Sequence, residues 1–117
     1  MAHNQTIGRW GEDVAADYLA QKGYEIRERN ARTPYGELDL IVMHSGGLVV
    51  VEVKTRTSSR YGLPELAIST RKQEHLIASA EHYAQENGID HWQIDAISVE
   101  GKPSGGKPKI THFEDIL

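Results

Sequence analysis

An α/β domain, with a mixed sheet of about five strands flanked by helices in the order α-β-β-β-α-β-β, is the fold this sequence predicts. Three observations predict it. Ile7 to Lys22 and Arg71 to Asn87 repeat apolar residues at helical spacing. Between them, GELDLIVMHSGGLVVVEVKTR alternates as two strands do, around a glycine turn. Two further apolar runs, Trp92 to Val99 and Ile110 to Phe113, follow the second helix. The 117 residues fit one domain, 1–117, and 38% apolar with 26% charged residues suits a water-exposed globule.

Each element has a local cause. In the first helix Ile7, Trp10, Val14, Tyr18 and Leu19 fall on one stripe, and Gly23 ends it. Tyr24 to Asn30 is the first strand, with Tyr24 and Ile26 on one face. Arg32 to Tyr35 reads as a loop punctuated by Pro34, and Ser58 to Leu66 as a loop with Gly62 and Pro64. The second helix opens on Thr70 and Gln73, which have the form of a capping box. Its apolar face is Leu76, Ile77, Ala80, Tyr83 and Ala84, and Asn87-Gly88 stops it. The polar, glycine-rich segment Gly101 to Pro108 joins the last two strands as a hairpin.

The central hairpin places acid where a core is expected. A two-residue loop at Ser45-Gly46 or a four-residue loop from His44 to Gly47 puts Asp39 opposite Glu52 and Glu37 opposite Lys54; a three-residue loop would shift the register by one unless a bulge restored it. Side chains alternate, so these four share one face. Leu38, Leu40, Val42, Val49, Val51 and Val53 then share the other. Opposed Cβ atoms lie ~5 Å apart, and like charges so placed repel. Solvent, a shared proton or a divalent cation would offset that repulsion; Mg²⁺ or Mn²⁺ prefers such hard oxygens. The plain alternative is a solvated hairpin face with Glu37 and Lys54 as an ordinary ion pair.

Asp39, twelve intervening residues, then Glu52-Val53-Lys54 resembles the PD-(D/E)xK nuclease-like superfamily. The strings GRWGEDVAADYL, GELDLI, VVVEVKTR, RYGLPELAIS and WQIDAISV resemble the YraN family of uncharacterised bacterial proteins, similar in fold to archaeal Holliday-junction resolvases. The superfamily's naming proline is absent, with Leu38 before the aspartate. The resemblance implies a restriction-endonuclease-like sheet. It also implies a Mg²⁺- or Mn²⁺-dependent endonuclease acting on branched or damaged DNA, and hints at a homodimer. Asp39, Glu52, the Val53 carbonyl and Glu12 would hold the metal, and Lys54 would position the nucleophile or stabilise charge on the phosphate.

Several of these residues have a simpler use as well. Glu12 lies at the edge of the helical stripe near Gly8, Ala15 and Leu19, whose small members would let the helix approach the sheet; it also suits the helix dipole in an early turn. Arg56, Arg60, Arg71 and Lys72 would bind phosphates, or merely keep a loop soluble. Gln73 would face the sheet and the nucleic acid, or complete the cap. Tyr61 would stack on a base or pack under its loop. Asp95 is read as structural, and His112 as packed in the last strand.

Composition removes other classes. No cysteine is present, which excludes disulfides, thiolate metal sites and cysteine nucleophiles. GKPSGGKP mimics a phosphate loop, but Pro108 stands where Ser or Thr is needed. No run approaches the ~20 apolar residues of a membrane span, and MAHNQTIGRWGEDV lacks the pattern of a signal peptide. A cytoplasmic location and no membrane partner are therefore expected. The net charge of −4 departs from the broadly basic surface common in nucleases. Two alternatives stay open: a non-catalytic nucleic-acid-binding protein, and a protein-interaction module on the same fold.

Overall fold

The computed structural model describes residues 6–57 and 68–117. The elements follow the expected order: α1 (Ile7–Gln21), β1 (Glu25–Thr33), β2 (Gly36–His44), β3 (Gly47–Arg56), α2 (Thr70–Glu86), β4 (Trp92–Glu100) and β5 (Lys109–Phe113). They build one mixed sheet with strand order β1-β2-β3-β4-β5. β1, β2 and β3 form an antiparallel meander. The crossover through α2 makes β4 parallel to β3, and β5 returns antiparallel.

The helices cover opposite faces. Ala15 and Leu19 of α1 pack with Leu40, Val42, Val49, Val51, Ile97 and Val99. Leu76, Ala80 and Ala84 of α2 pack with Ile41, Leu48, Val50 and Ile94. Alternate residues of β3 thus feed the two layers, as a two-sided sheet requires.

The elements differ from expectation in four places. The expected loop at Arg32–Tyr35 shrinks to Pro34 and Tyr35, because β1 continues to Thr33 and pairs Thr33 with Gly36. The cap of α2 is Ser69, whose Oγ accepts from the Lys72 backbone N–H at 3.2 Å, so Thr70 is already helical. Ile77 is 42% exposed, and Ser79 takes its place at the sheet, bonded to Thr33 at 3.0 Å. Leu38 leaves the layer of Leu40 and Val42 and packs with Ala31 and Ile41 under α2. Its cause lies across the ladder. Asn30, opposite Asp39, has φ 53, a left-handed conformation that turns the strand over. Arg29 therefore faces α1 while Ala31 faces α2.

Small residues set the distance of α1 from the sheet, but not at Gly8. A Cβ on Gly8 meets nothing within 4 Å, whereas one on Gly11 collides with the Thr55 side chain, with Cγ2 at 3.1 Å and Cβ at 3.2 Å. Thr55 is β-branched and cannot swing away freely. Gly11→Ala is expected to destabilise by about 1–3 kcal/mol through overpacking. Gly8→Ala is expected to stabilise by up to about 1 kcal/mol through helix propensity. Urea titration of the two variants checks the opposite signs.

Candidate functional site

The hairpin turns on Ser45 and Gly46, at φ 52 and 81, and its register is the expected one from His44↔Gly47 to Leu40↔Val51. There the pairing stops. Asp39 does not oppose Glu52 across a ladder; its carboxylate Oδ2 instead accepts the Val53 backbone N–H at 2.9 Å. A residue's N–H and C=O leave a strand by the same edge. The Val53 carbonyl therefore faces the same gap between β2 and β3.

Glu52 is 7% exposed, on the α2 side of β3. Its carboxyl is pushed up from 4.5 to about 7, first by burial, then by the charge of Asp39 and the hydrogen bond between the two acids. Lys72, from the first turn of α2, opposes this shift with Nζ 3.2 Å from Glu52 Oε2. Lys54 follows Glu52 on the same face of β3, in register with Ser98.

Glu12 comes from the other layer. Its carboxyl is also raised, by burial first and by Asp39 second, while Asn30 and Arg29 hold it down. Arg29 Nη2 lies 3.9 Å from Glu12 and 2.7 Å from Asp13. Asp39 thus stands between Glu12 and Glu52, at the point where β1 and β2 turn over. The four acidic and basic strand residues do not all share the expected open face. Glu37 lies opposite Arg32, with a 3.7 Å ion pair. Among the described residues, no three His, Cys, Asp or Glu side chains are grouped closely enough to hold a metal by themselves.

The remaining expected contacts scatter. Gln73 Nε2 donates to the Ile68 carbonyl at 2.9 Å, tying down the start of α2. Arg56 ends β3 beside Glu100, and Arg71 is exposed on the first turn of α2. Arg60 and Tyr61 lie outside the described residues. Two neighbours escaped sequence reasoning. Ser98 Oγ and both carboxylate oxygens of Glu100 are buried, and no hydrogen-bond partner reaches them among the described residues. They lie in register with Lys54 and Arg56. Polar residues at alternate positions of an otherwise apolar strand were the available signal.

The shift at Glu52 fixes a pH dependence. Between about 4.5 and about 7 the folded chain binds a proton that the unfolded chain has lost. Stability therefore falls as pH rises through that window and levels off above it. The fall from this group is on the order of 1–3 kcal/mol. Glu52→Gln is expected to flatten the profile and to melt higher than the parent at pH 8, measured by thermal melting at steps from pH 4.5 to 8.

Sequence comparison places relatives beside this geometry. The model of "Uncharacterised protein family UPF0102" matches residues 11–99. A UPF0102 protein of Syntrophomonas wolfei is 44% identical over 110 residues, covering 94% of this chain and 96% of its own. One from Syntrophotalea carbinolica is 41% identical over 110 residues, covering 92% and 88%. One from Rhodococcus jostii is 41% identical over 120 residues and covers both chains fully. Among solved structures, Pyrococcus furiosus SfsA in complex with Ca²⁺ superposes with a TM-score of 0.38 and 19% identity, over 91% of this chain and 61% of that one. No helix among the described residues is long and apolar enough to cross a membrane.

Proposed function

We propose that this chain, which belongs to the uncharacterised protein family UPF0102, binds DNA and hydrolyses its phosphodiester backbone with the help of a divalent cation. One observation carries the proposal: Asp39 meets the buried Glu52 where β2 and β3 part, with Lys54 on the Glu52 face. Two acids held together against their repulsion are a donor set that calls for a cation. Mg²⁺ keeps several waters and is commonly held by one or two carboxylates, so Asp39, Glu52 and the Val53 carbonyl suffice without a third acid. Glu12, raised first by burial and then by the charge of Asp39, would hold a water from the α1 side.

Bound there, Mg²⁺ or Mn²⁺ would polarise a phosphoryl oxygen and acidify a water. The chain's own side chains do the rest. Lys54 stabilises the charge that develops on the phosphate. Arg56 and Arg71 hold flanking phosphates, which positions the strand without reading its sequence.

A second reading, nucleic-acid binding without cleavage, is favoured by the ammonium of Lys72, which already neutralises Glu52. The test is incubation of end-labelled junction, flap and single-stranded DNA, and the matching RNA, with the chain in Mg²⁺, Mn²⁺ or EDTA. Cleavage that needs the metal supports the nuclease. Retention without cleavage supports the second reading. No retention of any form defeats both and leaves a protein-interaction module.

A further inference from the structure

We infer that Lys72 is the resident counter-ion of the carboxylate site, that a divalent cation enters by displacing its ammonium, and that Lys72 thereby sets how tightly the site takes metal. The inference rests on the metal-binding reading of Asp39 and Glu52 and adds a residue to it.

The position of Lys72 carries the inference. Its Nζ lies 3.2 Å from Glu52 Oε2, in the hydration shell any cation on that oxygen would need. Glu52 is nearly closed to water, with its side chain 9% exposed, so the ammonium supplies charge that solvent cannot. Lys72 itself is 46% exposed. A lysine whose side chain is that exposed can return its ammonium to water at little cost. Its backbone, in contrast, is fixed by the Ser69 cap at 3.2 Å. The swing is therefore confined to the side chain.

A second position lies beside the first. A cavity of about 60 Å³ is lined by Lys72, Glu37, His75 and Ser79. That is space for more than one water, so the displaced ammonium can be hydrated there. A divalent cation and an ammonium cannot both hold Glu52 at full strength, so metal and lysine compete there. Once displaced, Lys72 stands next to Arg71 at the start of α2, where a phosphate bound over the metal would meet it. The competition gives the site low occupancy until metal and nucleic acid arrive together.

Titration of the whole chain with Mn²⁺ alone, followed by the loss of the free Mn²⁺ electron-spin signal at fixed pH, tests this without any nuclease assay. Lys72→Met keeps the length of the side chain and removes the charge. It is expected to bind Mn²⁺ about three- to fivefold more tightly than the parent, the upper range of a partly exposed ion pair. Lys102→Met, an exposed residue with the same change of net charge, is expected to stay within about twofold of the parent. If Lys72→Met binds no more tightly than Lys102→Met, the inference is overturned while the metal site stands. If neither the parent nor Lys72→Met takes up Mn²⁺ at millimolar concentration, the site reading itself falls and the inference with it.

Discussion

Glu52→Ala and Lys54→Ala are each expected to cut branched DNA at least about a hundredfold more slowly than the parent chain in Mn²⁺, with binding of the DNA largely kept. Removing one group that stabilises charge in a transition state typically costs two to three orders of magnitude. The losses should differ in kind. Glu52→Ala removes a donor to the cation, so excess metal restores part of the rate. Lys54→Ala removes charge on the phosphate, and added metal does not help. Asp39→Asn separates function from stability in one variant. An amide oxygen still accepts the Val53 N–H, but the repulsion of Glu52 and Glu12 disappears. It should melt a few degrees higher than the parent without metal, show no rise on adding Mn²⁺, and cut nothing. A parent and a Glu52→Ala chain that cut equally well would remove the carboxylates from the chemistry.

The largest loss of stability is expected at Asp95, which lies in β4 in register with Val51. Asp95 is fully buried and accepts hydrogen bonds from Gln93 Nε2 at 2.8 Å and the Asp115 backbone N–H at 2.9 Å, with His112 Nε2 at 2.8 Å. The imidazole packs edge-on to Tyr18, 5.7 Å between ring centroids, and its Nδ1 is buried without a partner among the described residues. Asp95→Ala leaves several buried polar groups unpaired at once. A loss of about 3–5 kcal/mol is expected, or roughly 10–20 °C in melting temperature for a chain of this size. The double variant Asp95→Ala with His112→Phe should lose less than Asp95→Ala alone, because removing both partners spares the orphaned imidazole. Thermal melting of the three chains reads the difference directly.

Much of the fold was legible because its signals are local. Alternation in Leu40–Val51 and the Ser45-Gly46 turn determined the hairpin register, and helical spacing found both helices within a residue or two at each end. The resemblance pointed to an uncharacterised bacterial family, and the UPF0102 relatives agree with it. What failed depends on residues distant in sequence. Alternation cannot foresee that Asn30 turns over at φ 53, so it puts Leu38 in the wrong layer and Asp39 in a direct cross-strand pairing. Helical periodicity marked Ile77 as core, but the sheet under α2 offers Ser79 a hydroxyl partner instead. In the sequence Lys72 is one basic residue among several, because nothing there brings the first turn of α2 onto Glu52. Ser98 and Glu100 drew no notice, since a strand's polar positions usually face water.

A sheet ordinarily insulates its two sides from each other, because apolar side chains fill both layers and alternate strictly. The turnover at Asn30 breaks that insulation at one place. Asp39 acts on Glu12 in the α1 layer and on Glu52 in the α2 layer, so a single carboxylate belongs to both. Arg29 completes one network and Lys72 the other, from opposite sides of the molecule. Charge delivered to either side changes the field on the opposite one through this shared acid, and the two helices are electrically in series.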